Sequence, residues 1–163
     1  MKLTLNLGCG ERTFEEYPEG YKCINYDERG DLPNLDKVGD VKDLPFPAQH
    51  FDYVMASDII EHFPITDTDN LVSEWARVLK NSGIMEIRTP NLKWAAEHYV
   101  KHKDAKFISY HVFGGQDYSG NFHYVIFDRH WIKQILSKFN LVEIDYEEKG
   151  SNFIIKAMKL KGD

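Results

Sequence analysis

Leu3-Thr4-Leu5-Asn6-Leu7-Gly8-Cys9-Gly10 is a short apolar run that stops abruptly in Gly-x-Gly. Leu3, Leu5 and Leu7 alternate with smaller or polar residues and give way to two glycines one residue apart, the pattern of a strand entering a tight turn. Glycine permits unusual dihedrals there and leaves no Cβ between the backbone and a ligand. Taken alone, the motif also fits a strand that ends in an ordinary glycine turn, because short glycine motifs recur by chance.

A second apolar run, Tyr21-Lys22-Cys23-Ile24-Asn25-Tyr26, ends in Asp27, 17 positions beyond Gly10. In open α/β sheets that bind adenosine-type cofactors, the first strand-to-loop turn takes the ligand and an acid at the tip of the next strand accepts the ribose hydroxyls. Gly39-Asp40-Val41-Lys42-Asp43-Leu44-Pro45-Phe46-Pro47 follows, then the buried-strand pattern Phe51-Asp52-Tyr53-Val54-Met55-Ala56, which leads into Ser57-Asp58-Ile59-Ile60-Glu61-His62-Phe63.

The order GCG, an acid after the second strand, D-x-x-x-LPFP, FDYVMASDIIEHF and ARVLKNSGIMEI, spanning Leu3 to Pro90, resembles the class I S-adenosylmethionine-dependent methyltransferases. Within them it is most similar to small methyltransferases often encoded near sugar- and polysaccharide-modifying enzymes. The resemblance implies a Rossmann-like α/β sheet, mostly parallel with a terminal antiparallel hairpin, and S-adenosylmethionine as cofactor. It places Gly8, Cys9 and Gly10 beneath the methionine and ribose portions, Asp27 on the ribose hydroxyls, Asp40 on the adenine amino group with Val41 as a backbone contact, and Ser57 on the methionine part. Glu61-His62 matches the family's E-H pair, so His62 is expected near the cofactor; a polar pair without chemistry is the alternative. The rival readings are a noncatalytic S-adenosylmethionine-binding subunit needing a partner, and a nicotinamide-binding oxidoreductase. The missing third glycine and the hairpin count against the last.

Length and composition are consistent with this. The 163 residues suit one methyltransferase domain over 1–163, with 42% hydrophobic and 28% charged residues typical of a globular chain. Twenty basic against 26 acidic side chains give a net charge of −6, which provides no overall case for gripping nucleic acid and favours a small-molecule acceptor. The first strand follows Met1 almost at once, and no apolar run approaches membrane-spanning length, so a cytoplasmic location without membrane attachment is expected. Self-association is left open. Cys9 and Cys23 are expected as free thiols, a cross-link between them being the less favoured alternative in that compartment.

The connection from Glu11 to Gly20, with Pro18, and the segment Glu28 to Val38, with Gly30 and Pro33, are short for crossover helices. From Asp67 to Asn81 the apolar positions Leu71, Val72, Trp75, Val78 and Leu79 predict an amphipathic helix, with Thr66 or Asp67 as cap and Gly83 as terminator. Ile84 to Arg88 reads as a strand. Asn91 caps a helix to Lys103 with Leu92, Ala95, Ala96, Tyr99 and Val100 inward, and Asp128 to Phe139 forms another on Trp131, Ile132, Ile135 and Leu136. Leu141 to Glu147 and Asn152 to Leu160 then form the hairpin.

Residues 104–127 combine aromatic residues, glycines and polar groups where class I methyltransferases insert acceptor-binding elements, and read as a lid or acceptor platform. Its Gly-Gly-Gln and Asn-Phe-His pieces also resemble the small sugar-associated enzymes, whose acceptor would be a sugar or glycan-precursor hydroxyl. A hydroxyl acceptor needs a base, and His123 or His111 is the candidate, against the plainer reading of a histidine bonded to a loop carbonyl. Tyr118 and Asp117 could orient the acceptor. His98 and His102 sit four apart on a helix without a third ligand, so no metal site is expected from them.

Overall fold

The computed structural model describes residues 1–118 and 120–162; Ser119, inside the segment read as a lid, and Asp163 lie outside the described residues. Among the described residues seven strands form one sheet: β1 (Lys2–Leu7), β2 (Tyr21–Asp27), β3 (Lys37–Val38), β4 (Phe51–Ser57), β5 (Leu79–Pro90), β6 (Leu141–Lys149) and β7 (Asn152–Lys159). Their order is β3-β2-β1-β4-β5-β7-β6. The pairs β1–β2, β1–β4, β2–β3 and β4–β5 are parallel, whereas β7 runs antiparallel to both β5 and β6. The reversed terminal pair is therefore present, joined by Gly150-Ser151, with Gly150 in the left-handed region at φ +61°.

Strand alternation divides the sheet into two unlike faces. Leu5, Leu7, Val54, Ala56, Met85, Ile87, Ile155 and Ala157 face the apolar core. Over them pack α1 (Thr68–Val78) and α4 (Arg129–Ser137), which contribute Leu71, Val72, Trp75, Ile132, Ile135 and Leu136. The other face carries Thr4, Asn6, Asn25, Tyr53 and Glu86. It is covered in part by the β1–β2 loop, in which no helix forms among the described residues: Asn6 donates to the Arg12 carbonyl at 2.8 Å, and Asn25 to the Phe14 carbonyl at 2.9 Å. The connection between β2 and β3 is likewise a loop.

Three expected details change. α1 stops at Val78 rather than Asn81, because Leu79 already pairs with Phe51 and extends β5; its preceding turn, Ile65–Asp67, is 3₁₀, and Asp67 makes no side-chain cap. α2 (Leu92–His102) is capped as expected by Asn91, whose side chain accepts from the Lys93 and Trp94 amides, but only Ala95 of its expected inward residues is buried. The helix leans on α3 (Ala105–Phe113) instead of the sheet, through Trp94 and His98 against Phe107, which leaves Leu92, Tyr99 and Val100 exposed. Finally, β6 runs on to Lys149, two residues past its expected end.

Candidate functional site

The strand tips at the carboxyl edge of β1, β2 and β4 surround a cavity of about 330 Å³ lined by Gly8, Asp27, Arg29, Asp40, Val41, Asp58, Ile59, His62, Phe63, Tyr118 and neighbouring backbone. Its position is the one at which open parallel sheets take ligands, where β1 and its neighbours diverge to opposite sides. Gly8 forms part of its wall at φ +56°; a Cβ there would stand 2.1 Å from Ile59 Cδ1, so glycine is required for both conformation and space.

Asp27 is 5% exposed. Its Oδ2 accepts the Gly10 amide at 2.8 Å, and its Oδ1 accepts the Arg29 amide at 3.0 Å and Arg29 Nε at 3.3 Å. These bonds lock the carboxylate against the glycine turn. The Oδ2 lone pairs remain incompletely used, so a hydroxyl donor from a ligand still has an acceptor. Gly39 donates to the Asp27 carbonyl at 3.0 Å and holds the next wall in place. In that wall the Asp40 side chain is half exposed and accepts the Lys42 amide at 2.8 Å, while Val41 is buried with its carbonyl bonded to Trp75 Nε1 at 3.0 Å.

On the opposite wall, Ile60–His62 form a 3₁₀ turn after β4. Glu61 is fully buried; its Oε2 accepts the Thr89 hydroxyl at 3.0 Å, and burial pushes its carboxyl up to about 7. His62 Nδ1 meets the Phe122 carbonyl at 3.0 Å, and its ring lies edge-on to His123 with centroids 4.9 Å apart. His123 Nδ1 in turn meets the His111 carbonyl at 3.1 Å. Burial lowers the proton affinity of all three rings, with His62 adding to the effect at His123. The Tyr124 amide donates to the Glu61 carbonyl at 2.8 Å and Phe127 is fully buried, so the second half of the 104–127 segment is pinned to this wall.

The remaining sequence candidates lie elsewhere. Gly10 meets the cavity only through its bond to Asp27, and Cys9 is buried beside it, its amide bonded to the Tyr26 carbonyl and its thiol pushed up to about 11 by burial. Cys9 and Cys23 are both free. Ser57 shares the strand face of Tyr53 and Met55 and opens on a neighbouring groove with Arg12, Tyr17, Glu86 and Arg88, where it accepts from Arg12 Nη1 at 3.3 Å. His111 packs against Trp94, with ring centroids 5.1 Å apart.

The sequence motifs assign no role to the cavity residues Arg29, Asp58, Ile59 and Phe63. Arg29 stands beside Asp27, and Ile59 contacts the glycine turn. Asp58, at φ +54°, is held by Arg88 and by Asn152 Nδ2 at 2.7 Å. An aspartate tolerates the left-handed region better than most side chains, but the sequence does not display that conformation.

Fold and cavity together define a class I, S-adenosylmethionine-dependent methyltransferase. Residues 5–87 match the methyltransferase domain family, and the chain belongs to it. No curated protein matches the chain. Among solved structures it is similar to a SAM-dependent methyltransferase from Methanosarcina mazei, with 18% identity, a TM-score of 0.72, and coverage of 97% of this chain and 92% of that one. A SAM-dependent methyltransferase from Archaeoglobus fulgidus has 16% identity, a TM-score of 0.68, and coverage of 97% and 86%. A third similar structure is Burkholderia thailandensis 1,6-didemethyltoxoflavin-N1-methyltransferase, with 13% identity, a TM-score of 0.68, and coverage of 98% and 71%; it was solved with 1,6-didemethyltoxoflavin and S-adenosylhomocysteine. No helix among the described residues is long and apolar enough to cross a membrane.

Proposed function

We propose that this methyltransferase moves the methyl group of S-adenosylmethionine to a hydroxyl of a small acceptor, a sugar or glycan precursor, bound between the strand tips and the 104–127 segment. The observation that carries the reading is the single cavity shared by Gly8, Asp27, Asp40 and Val41 on one side and His62, Phe63 and Tyr118 on the other. In it the ribose hydroxyls reach Asp27, the adenine lies along Asp40 and Val41, and the methionine end passes Gly8. The sulfonium methyl then points towards the His62 wall.

Transfer from a sulfonium is an in-line displacement: the acceptor oxygen forms a bond to the methyl carbon as the carbon–sulfur bond breaks, leaving S-adenosylhomocysteine. The protein's principal contribution is alignment and exclusion of water. The acceptor also loses a proton. Because the His111 carbonyl can only accept, neutral His123 carries its proton on Nδ1 and keeps the Nε2 lone pair free to take that proton.

Calorimetric titration with S-adenosylmethionine, S-adenosylhomocysteine and NAD tests the donor. The two adenosyl ligands should bind and NAD should not, and Asp27→Ala should weaken them by about 1–3 kcal/mol as ribose hydroxyls lose their acceptor. Undiminished affinity in that variant contradicts the assigned pocket. Transfer of labelled methyl to a panel of sugars and sugar nucleotides, against aromatic and amine acceptors, tests the acceptor class.

A further inference from the structure

Glu61, His62 and His123 come from two segments 61 residues apart, yet one donor atom from each lies within 4.8 Å of the others. Their hydrogen bonds leave a particular set of atoms free. The Phe122 and His111 carbonyls fix the protons of His62 and His123 on Nδ1, so both rings offer an Nε2 lone pair. Imidazoles oriented in this way by a backbone carbonyl are the usual form of histidine metal ligands. The third group supplies charge: Glu61 is fully buried and its Oε1 has no partner among the described residues, while Oε2 is held by Thr89. A buried carboxylate oxygen without a donor is costly, and a cation removes that cost.

We propose that Glu61, His62 and His123 form a divalent-cation site at the edge of the donor cavity, suited by its two imidazoles and one carboxylate to a zinc-like ion. Donors about 2.0–2.2 Å from such an ion stand about 3.4 Å apart, so the three side chains close by at most about 1.4 Å on binding. Three protein ligands leave a coordination position open. His62 belongs to both the site and the cavity wall, so the site adjoins the space assigned to the acceptor. On the reading of the cavity above, the acceptor presents an oxygen to the cation, whose charge lowers the hydroxyl's proton affinity so that solvent water takes its proton; His123, with Nε2 committed to the cation, then acts as a ligand in place of the base assigned to it in the metal-free site.

The full-length protein, stripped with a chelator, is titrated with Co²⁺ as the probe and followed by its visible ligand-field absorption, with Zn²⁺ competition by calorimetry. One equivalent should bind with intense low-symmetry bands. Glu61→Gln and His123→Ala should each weaken binding by at least about 10-fold, since even outer-shell changes do as much, and His98→Gln, on the separate His98–His102 pair, should not. S-adenosylhomocysteine affinity, measured on every variant, reports that the fold is intact. Equal Co²⁺ affinity in wild type and His123→Ala overturns the site, as does loss of binding in His98→Gln alone. A protein that binds Co²⁺ at these residues but no S-adenosylhomocysteine refutes the donor reading and leaves the cation site standing; the converse refutes only the cation site.

Discussion

Gly8 shows how one missing side chain shapes the cavity. A methyl group there would meet Ile59 at Cδ1, Cγ1 and Cβ, at 2.1, 2.9 and 3.3 Å, and the backbone would have to hold an L-residue at φ +56°. Gly8→Ala should therefore destabilise the fold by about 1–3 kcal/mol, the cost of one strained backbone position, and weaken S-adenosylhomocysteine binding as Ile59 is driven into the cavity. Urea denaturation and calorimetry measure the two effects. Gly10→Ala carries the same backbone strain, at φ +53°, but should cost less because its methyl would meet Arg29 Nη2, at 3.2 Å, the far end of a flexible side chain, in place of the Ile59 clash. The candidates visible in the sequence at this scale, Gly8, Asp27, Asp40 and Val41, are those whose positions follow from motif order along consecutive strand tips, and all four line the cavity. Ser57 was equally visible, but its place at a strand end does not reveal on which face it opens. Glu61 and His62 could be read as a pair, whereas their approach to His123 depends on the path of a loop and has no local signature.

At the scale of elements, α1 is fastened to the loop that carries Asp40 and Val41. Glu74 Oε1 accepts the Leu44 amide at 2.8 Å and Arg77 Nη2 at 2.7 Å, while Arg77 donates to the Phe46 and Leu44 carbonyls at 2.9 and 3.0 Å. The Arg77 hydrogen bonds hold the Glu74 carboxyl below its ordinary value. A carboxylate whose proton affinity is depressed on folding adds stability above its unfolded pKa of about 4.3, and that stability is lost as the pH falls through its folded value. Glu74→Gln should thus be less stable than wild type at neutral pH, and the gap should begin to close as the pH falls below about 4.3 and vanish below the depressed folded value. Thermal melts of both proteins from pH 7 to 3 follow the difference; a gap that stays constant across the range excludes the pair as its source. Helix positions were legible because caps and apolar spacing are local: Asn91 and Asp128 do cap, and Asp128 accepts the Trp131 amide at 2.7 Å. The buried face of α2 was not, because its neighbour is α3 rather than the sheet, and a choice between two supports is not written in the helix's own periodicity.

Across the whole molecule, the two faces of the sheet are stabilised by different chemistry. The helical face is apolar. On the other, a loop stands where a crossover helix would be, and Tyr17 reaches from it to Glu86 on β5, both carboxylate oxygens lying 3.1 Å from its hydroxyl. Tyr53 donates to Glu86 Oε2 at 2.5 Å, and Lys156 stands 3.9 Å away. Burial pushes Tyr17 up to about 12, so its hydroxyl remains a donor throughout the ordinary pH range. The carboxylate thus joins the β1–β2 loop, β4, β5 and β7 at one point and takes the place that packed helix side chains hold on the other face. Glu86→Leu leaves two hydroxyls without their acceptor and should destabilise the protein by about 1–3 kcal/mol for each one stranded. Replacing the whole set, Glu86→Leu with Tyr17→Phe and Tyr53→Phe, removes the unsatisfied donors along with the acceptor and should recover most of that loss. Urea unfolding of the single and triple variants separates the two contributions. A triple variant as unstable as the sum of its parts would mean that the network itself, not the avoidance of stranded donors, holds the loop against the sheet.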